Sequence, residues 1–140
     1  MVADLCSQLL ALEPDRKRIR QTRGAYSKLR VVLAVAEALP FREFIIDKVY
    51  MRRSFHHLTD QARGLQEIGR VLKTAGSILF QEVSPERQGK LIKFVEQWLR
   101  RDHVNFLTAA DIGAMLGREG FLIKFSRPAV GGYFLVAEKK

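Results

Sequence analysis

Residues 58–82 read LTDQARGLQEIGRVLKTAGSILFQE and join a helical pattern directly to an apolar strand. Either Thr59 or Asp60 can cap the helix, because a side-chain oxygen there can accept a hydrogen bond from a free backbone N–H. Gly76 is predicted to reverse the chain, since glycine adopts positive φ without steric strain, before SILFQEV continues as a strand. Within the helix, apolar residues recur at helical spacing, namely Ala62, Leu65, Ile68 and Leu72. A helix that leads straight into a buried strand is the repeating unit of a parallel α/β sheet.

The residues that precede this unit predict further strands. KLRVVLAVAEA at 28–38 and FREFIIDKVYM at 41–51 are rich in β-branched and aromatic residues, and both predict buried strands. MVADLC at the N-terminus is compatible with another strand. SQLLALEPDRKRIRQT at 7–22 predicts a helix that breaks or starts near Pro14, because proline lacks the N–H that a helix interior requires.

Two more helices are predicted after the opening unit. Ser84 followed by Pro85 is a typical helix start, and one apolar face follows, formed by Leu91, Ile92, Phe94, Val95, Trp98 and Leu99. Thr108 and Asp111 have the spacing of a capping box. The helix that they start is predicted to stop at Gly120.

Two apolar segments end the chain, FLIKF at 121–125 and GYFLVAE at 132–138. Their short connection favours an antiparallel pair. Because strands and helices alternate along the whole chain, the sequence predicts one α/β domain over residues 1–140. Its sheet is expected to be mostly parallel, with the antiparallel pair at the C-terminus.

Length and composition exclude several classes of protein. The chain has 140 residues, of which 47% are apolar, enough to build the core of one domain or of part of one. No apolar run approaches the roughly 18 residues that a membrane span requires, and the N-terminus lacks the pattern of a signal peptide. Cys6 is the only cysteine, which excludes an internal disulfide and a cysteine-based zinc site. These features predict a cytoplasmic protein.

The net charge of +9 indicates a basic protein, and seven of the 24 basic residues fall between Arg16 and Arg30. Such clusters attract phosphate backbones and anionic surfaces. A solvated helix face gives the same count, and no ribonucleoprotein motif or zinc finger accompanies the charge. Nucleic-acid binding is therefore an alternative rather than the favoured function.

Three sequence blocks occur in order: AEALPF at 36–41, IIDKVYMRRSFHHL at 45–58 and LQEIGRVLKTAGSILFQE at 65–82. Together they resemble the class I S-adenosylmethionine-dependent methyltransferases, in particular the group that acts in ubiquinone and menaquinone biosynthesis. FLTAADIGAMLGREGF at 106–121 resembles the helix that precedes the last two strands of that family. The resemblance implies a Rossmann-like fold, S-adenosylmethionine as cofactor, and methyl transfer to an acceptor that the sequence does not identify.

The chain departs from the family pattern at its N-terminus. The first strand and the glycine-rich loop, usually GxGxG, have no counterpart, so the resemblance implies an N-terminally truncated fold. The family's first strand lies between its second and fourth strands, and removing it leaves a gap of about 9–10 Å unless those two strands pair directly. We expect the chain to close the gap, to take a strand from a partner, or to be a fragment of a longer protein. An open sheet edge would allow a homodimer or a partner subunit.

Two smaller departures concern single residues. The family's Asp next to the adenine amino group is replaced by Val35, which cannot accept a hydrogen bond. The family's RVLKPGG is RVLKTAG here, with Ala75 in place of a glycine. If Ala75 needs positive φ, the penalty is about 1–2 kcal/mol.

The resemblance implies a cofactor site at the carboxyl ends of the strands, where open α/β sheets bind their ligands. Asp4 would accept from the ribose hydroxyls, Ala36 would lie along the adenine, and Met51 would pass the methionine portion. For each position, ordinary packing or solvation is the competing interpretation. The full set of implied cofactor-binding residues is Asp4, Leu5, Val35, Ala36, Met51 and Arg52.

His56 and His57 are adjacent, so on a helix they point to different faces and would not chelate one ion together. We therefore predict no metal site, and no catalytic residue is identified, although one histidine could serve as a general base. The favoured function is an S-adenosylmethionine-dependent methyltransferase. The alternative is a non-catalytic, degenerate methyltransferase that binds nucleic acid or a partner subunit. The absent glycine-rich loop, Val35 and the basic cluster favour that alternative.

Overall fold

A computed structural model describes residues 7–22, 29–85 and 104–140. The strands are β1 (Leu9–Glu13), β2 (Leu29–Leu33), β3 (Ile46–Arg52), β4 (Leu72–Val83), β5 (Phe121–Ala129) and β6 (Gly132–Lys139). The helices are α1 (Arg16–Thr22), α2 (Gln61–Val71) and α3 (Ala109–Arg118), with a single 3₁₀ turn at Phe55–His57.

The described strands form two sheets. β1 pairs with β2 in parallel, and the second sheet has the strand order β3-β4-β6-β5. Within it, β3 and β4 are parallel, whereas β6 is antiparallel to both β4 and β5. The α/β class and the antiparallel C-terminal pair are confirmed. Neither β1 nor β2 pairs with β3 among the described residues, so direct closure between the two sheets is not observed.

The junction between α2 and β4 differs from the prediction in one respect. Asp60 caps α2 as predicted, and its side chain accepts a hydrogen bond from the Arg63 N–H at 2.9 Å. The left-handed residue is Ala75, with φ 59°, rather than Gly76. β4 bulges there, because Ile46 and Lys48 of β3 pair with Leu72 and Ser77 of β4. Glycine is needed at position 76 for a steric reason, because a Cβ there would lie 2.7 Å from the Lys73 carbonyl oxygen.

The N-terminal part contains a second correction. Leu9–Glu13 forms a strand rather than part of a helix, because it pairs residue by residue with β2. The helix begins at Arg16, which confirms the predicted alternative that it starts near Pro14 rather than breaking there. Phe44 and Ile45 lie outside β3, and Phe44 has φ 56°. The predicted strand at 1–6 and most of the predicted helix after Pro85 lie outside the described residues.

The predicted start and end of α3 are confirmed. Thr108 Oγ1 accepts from the Asp111 N–H at 3.1 Å, and the Asp111 carboxylate accepts from the Thr108 N–H at 3.0 Å. Gly120 follows the helix with φ 82°, a conformation that glycine adopts without a Cβ clash. The described part of the chain contains no helix long and apolar enough to cross a membrane.

The buried core lies between α2, α3 and the four-stranded sheet. It includes Leu65, Ile68, Val71, Leu72, Ile78, Phe80, Ile112, Leu116, Leu135 and Ala137. Among the described residues, no member of β1 or β2 belongs to this core. Within the described part of the chain, the short sheet, formed by β1 and β2, is therefore held to the rest of the protein mainly by the residues that follow β2.

Candidate functional site

A shallow cavity of about 540 Å³, largely open to solvent, lies beside the carboxyl ends of β1 and β2. The register of the two parallel strands pairs Glu13 with Leu33, so both strands end at the same edge. The lining residues are Pro14, Arg16, Leu33, Ala34, Val35, Ala38 and Pro40. This edge is where open α/β sheets bind ligands, which makes the cavity the candidate binding site.

The lining is apolar apart from Arg16. Alanine and proline side chains leave room instead of filling the space, and the volume lies within the range of about 300–1,000 Å³ that is usual for ligand pockets. Such a lining suits a flat ring with polar edges. The residues present therefore fit the adenosine part of S-adenosylmethionine.

Glu13 is an acid that the sequence analysis missed. It ends β1, next to β2, and its carboxylate accepts from the Asp15 N–H at 3.0 Å. The ribose role had been predicted for Asp4, which lies outside the described residues together with Leu5. Interpreting LLALE as a strand would have indicated Glu13, because an acid at a strand end is the feature that the prediction sought.

The other predicted site residues do not meet in one described cavity. Val35 lines the cavity and is 44% exposed. Ala36 lies in the same turn, which the Ala38 N–H closes by donating to the Val35 carbonyl oxygen at 3.2 Å. Met51 is buried in the core, whereas Arg52 is exposed at the carboxyl end of β3. Neither Met51 nor Arg52 lines the cavity.

A buried carboxylate, Glu82, organises the turn after β3. It lies near the carboxyl end of β4 and accepts from the backbone N–H groups of Ser54 and Phe55 at 2.9 and 2.8 Å. A third partner is His56 Nδ1, at 2.6 Å. Wherever the Glu82 carboxylate is ionised it only accepts, so Nδ1 is then the donor.

A loop before α3 covers this histidine. The ring of Phe106 stacks on that of His56 with centroids 4.7 Å apart. The Asn105 N–H donates to the His56 carbonyl oxygen at 3.0 Å, and the Asn105 and Gln61 side chains hydrogen-bond to each other at 2.9 Å. The turn at 55–57 is thus held from both sides. Within residues 7–22, 29–85 and 104–140, no group of three or more His, Cys, Asp or Glu side chains could hold a metal ion.

Glu67 and Arg70, here named the α2 clamp, hold the segment that follows the cavity turn. The Leu39 N–H donates to Glu67 Oε2 at 3.0 Å. Arg70 donates to the carbonyl oxygens of Leu39 and Phe41 at 3.0 and 2.8 Å. The same guanidinium donates to both oxygens of Glu67, at 2.9 and 2.8 Å.

Charge and burial reinforce the clamp. Glu67 is only 6% exposed, and its hydrogen bonds from Arg70 and from the Leu39 N–H outweigh burial and lower its pKa to about 2. Sequence periodicity could not reveal these contacts, because they join residues 28–31 positions apart. The one available signal was that the blocks AEALPF and LQEIGRVLK occur together.

A second attachment between the cavity turn and α2 involves Glu37, two residues before Leu39. The Glu37 carboxylate accepts from the backbone N–H groups of Thr59 and Asp60 at 2.9 and 3.4 Å, and the Glu37 carbonyl oxygen accepts from Arg63 Nε at 3.4 Å. Glu37 therefore holds the cavity turn to the start of α2, as Arg70 holds the following residues to its end.

Comparison with known proteins gives consistent results. Residues 1–80, more than half of the chain, match the family model described as a methyltransferase domain. A ubiquinone/menaquinone biosynthesis C-methyltransferase of Edwardsiella ictaluri is 30% identical over 120 residues, which cover 86% of this chain and 44% of that protein. A glycine/sarcosine/dimethylglycine N-methyltransferase of Actinopolyspora halophila is 36% identical over 76 residues, 54% of this chain and 14% of that protein. The chain spans less than half of the length of these curated relatives.

Solved structures share the fold at low sequence identity. A methyltransferase dependent on S-adenosylmethionine from Mesorhizobium loti superposes with a TM-score of 0.78 and 15% identity, covering 96% of this chain and 81% of that one. One from Methanosarcina mazei gives 0.75 and 16%, covering 99% and 84%. A methyltransferase of Haloferax volcanii in complex with the activator Trm112 gives 0.75 and 14%, covering 94% and 71%. The Rossmann-like methyltransferase fold is thereby confirmed.

Proposed function

Because this chain belongs to the methyltransferase domain family, we propose that it binds S-adenosylmethionine and transfers its methyl group to an acceptor nucleophile. When bound, the cofactor would supply an electrophilic methyl carbon on its sulfonium. The lone pair of the acceptor would bond to that carbon as the carbon–sulfur bond breaks, and S-adenosylhomocysteine would leave with the bonding electron pair. The observation that carries the proposal is the apolar cavity at the carboxyl ends of β1 and β2. The name of another curated relative, a probable S-adenosylmethionine-dependent methyltransferase of Mycobacterium tuberculosis, supports the same cofactor.

The residues in and around the cavity would contact different parts of the cofactor. Leu33, Val35 and Ala38 would flank the adenine, and Ala36 would leave space beside it. Glu13 would accept from the ribose hydroxyls, since a carboxylate can accept from both at once. Asp4 and Leu5 remain proposed contacts from the family resemblance, as do Met51 and Arg52 near the methionine portion. Catalysis would then depend mainly on the orientation and proximity of the two reactants. We expect the protein to be cytoplasmic.

The cavity can be tested by filling it. Ala38→Trp places a large ring in the space that the adenine would occupy, whereas Ala114→Trp places the same ring on the exposed face of α3. We expect calorimetry with S-adenosylhomocysteine to give micromolar binding for the wild type and for Ala114→Trp, and at least about tenfold weaker binding for Ala38→Trp. No binding by the wild type at millimolar ligand would contradict the proposal.

A partner-subunit role is a second candidate, and the edge of the larger sheet favours it. β5 lies at that edge and exposes Leu122, Ile123 and Phe125, with 50%, 38% and 45% of their surface accessible. Exposed apolar edges are typical of association surfaces. The similar methyltransferase of Haloferax volcanii is found in complex with an activator protein. Sedimentation that shows only monomers, alone and with candidate partners, would remove this second role.

A further inference from the structure

Two residues of the cavity wall, Ala38 and Pro40, are separated by Leu39. Leu39 is 8% exposed and packs into the core, so it faces away from the cavity that its neighbours line. Its N–H and its carbonyl oxygen are both held by the α2 clamp, by Glu67 and Arg70 respectively. The position of the cavity wall is therefore set by hydrogen bonds from α2.

The clamp matters because the described part of the chain gives the short sheet few other attachments. No side chain of β1 or β2 joins the buried core among the described residues. The chain after β2 instead follows α2: the N–H groups of Phe44 and Ile45 donate to the carbonyl oxygens of Arg70 and Val71, at 3.2 and 3.0 Å. A loosened clamp would thus let the wall of the cavity move relative to the larger sheet.

We propose that Glu67 and Arg70 are positioning residues for the cofactor: they touch the cavity wall, not the ligand, and they hold it in its binding shape. The inference rests on the proposed function. A ligand that binds a preorganised wall loses less conformational entropy than one that must order it. Weakening the clamp should therefore weaken the affinity for the cofactor even in fully folded protein.

The chemistry of the clamp requires arginine. One planar guanidinium donates at once to the Leu39 carbonyl, to the Phe41 carbonyl and to both oxygens of Glu67. A lysine ammonium keeps the charge, but its three N–H donors share one nitrogen and cannot reproduce this planar fork. Arg70→Lys is therefore a conservative change in charge that removes the positioning.

Arg118→Lys is the matched control. Arg118 is exposed in the last turn of α3, and it makes no hydrogen bond to the residues around the cavity in the described part of the chain. Both substitutions exchange arginine for lysine in the last turn of a helix. They differ in whether the residues next to the cavity are released.

The test is calorimetric titration with S-adenosylhomocysteine at a temperature well below every thermal transition. We expect Arg70→Lys and Glu67→Gln to raise the dissociation constant on the order of tenfold, and Arg118→Lys to leave it within twofold. A dissociation constant unchanged in folded Arg70→Lys, with only the melting temperature lowered, would overturn the inference because the role would be structural alone.

The outcomes separate this inference from the proposed function. No binding by the wild type overturns the proposed function and this inference with it, whereas equal binding by the wild type and the clamp variants overturns the inference alone. If the single variants do not fold, Glu67→Met/Arg70→Met replaces the buried pair with apolar side chains, a change that such pairs often tolerate. That variant releases Leu39, and its dissociation constant decides the question in the same way.

Discussion

Ala75 has a backbone conformation that residues with a side chain rarely adopt, with φ 59° in the bulge at the start of β4. Glycine would relieve a strain of about 1–2 kcal/mol. This gain exceeds the free-energy cost of the additional conformational entropy that glycine gives the unfolded chain. We expect Ala75→Gly to raise the free energy of unfolding by about 0.5–1 kcal/mol, as measured by urea denaturation.

The same exchange in a regular helix should have the opposite sign. Ala114 lies on the exposed face of α3, and Ala114→Gly should lower the free energy of unfolding by about 1 kcal/mol. If Ala75→Gly destabilised the protein as much as Ala114→Gly does, the strain at Ala75 would be disproved.

Glu67 should make the stability of the protein depend on pH. Its pKa falls from 4.5 to about 2 on folding, chiefly through Arg70, so the folded state binds this proton less readily than the unfolded chain. The stabilisation is present above pH 4.5 and is lost as the pH falls toward 2. We expect the difference in unfolding free energy between the wild type and Glu67→Gln to shrink over that range.

Asp111→Asn is a positive control for this prediction. Hydrogen bonds from Thr108 also lower the pKa of Asp111, so its difference from the wild type should shrink in acid as well. Urea titrations at several pH values measure both. If the difference in unfolding free energy between the wild type and Glu67→Gln stayed constant from pH 6 to pH 3, the lowered pKa of Glu67 would be refuted.

At the scale of elements, α2 organises its surroundings at both ends. At its start, the Glu37 carboxylate accepts from the Thr59 N–H, and the Asp60 side chain caps the first turn. At its other end, Lys139 Nζ of β6 donates to the carbonyl oxygens of Gly69 and Leu72 at 2.6 and 3.0 Å. A cation there complements the negative end of the helix dipole. One helix thus links the cavity turn to the last strand of the sheet.

The start of β6 tolerates only glycine. A Cβ at Gly132 would collide with the backbone carbonyl of Glu82, at the end of the ladder between β4 and β6 where Val83 pairs with Gly132. Backbone cannot move aside as a flexible side chain can, so Gly132→Ala should lower the free energy of unfolding by about 1–3 kcal/mol.

Gly117 offers the matched comparison. A Cβ at this helical glycine of α3 would meet nothing within 4 Å, and Gly117→Ala should stabilise the protein by about 0.5–1 kcal/mol. Chemical denaturation of the two variants decides the matter. Equal effects would show that the approach of Gly132 to Glu82 is not tight.

At the scale of the whole molecule, short sequence patterns predicted the structural features that depend on residues close together in the chain. The Asp60 cap, the capping box at Thr108 and the hairpin of β5 and β6 were all visible as short patterns. The sequence left open whether a helix includes Leu9–Glu13 and breaks at Pro14 or starts only near Pro14. The strand at Leu9–Glu13 depends on pairing with residues about 20 positions away, which periodicity does not contain.

The candidate site was less predictable than the fold. Val35 was indicated by the family resemblance and does line the cavity. Glu13, Glu67 and Arg70 were missed, because each acts through backbone geometry or through contacts between distant segments. A polar residue that holds a loop leaves no periodic signal, whereas a buried apolar face does.

The central claim is that the edge at β1 and β2 binds the adenosine of the cofactor. A titration of ¹⁵N-labelled protein with S-adenosylhomocysteine, followed by amide NMR shifts, tests it most directly. The account predicts saturable shifts concentrated in the amides of residues 33–39, with the β5 and β6 hairpin unchanged. No shift at millimolar ligand, or shifts confined to that hairpin, would contradict it.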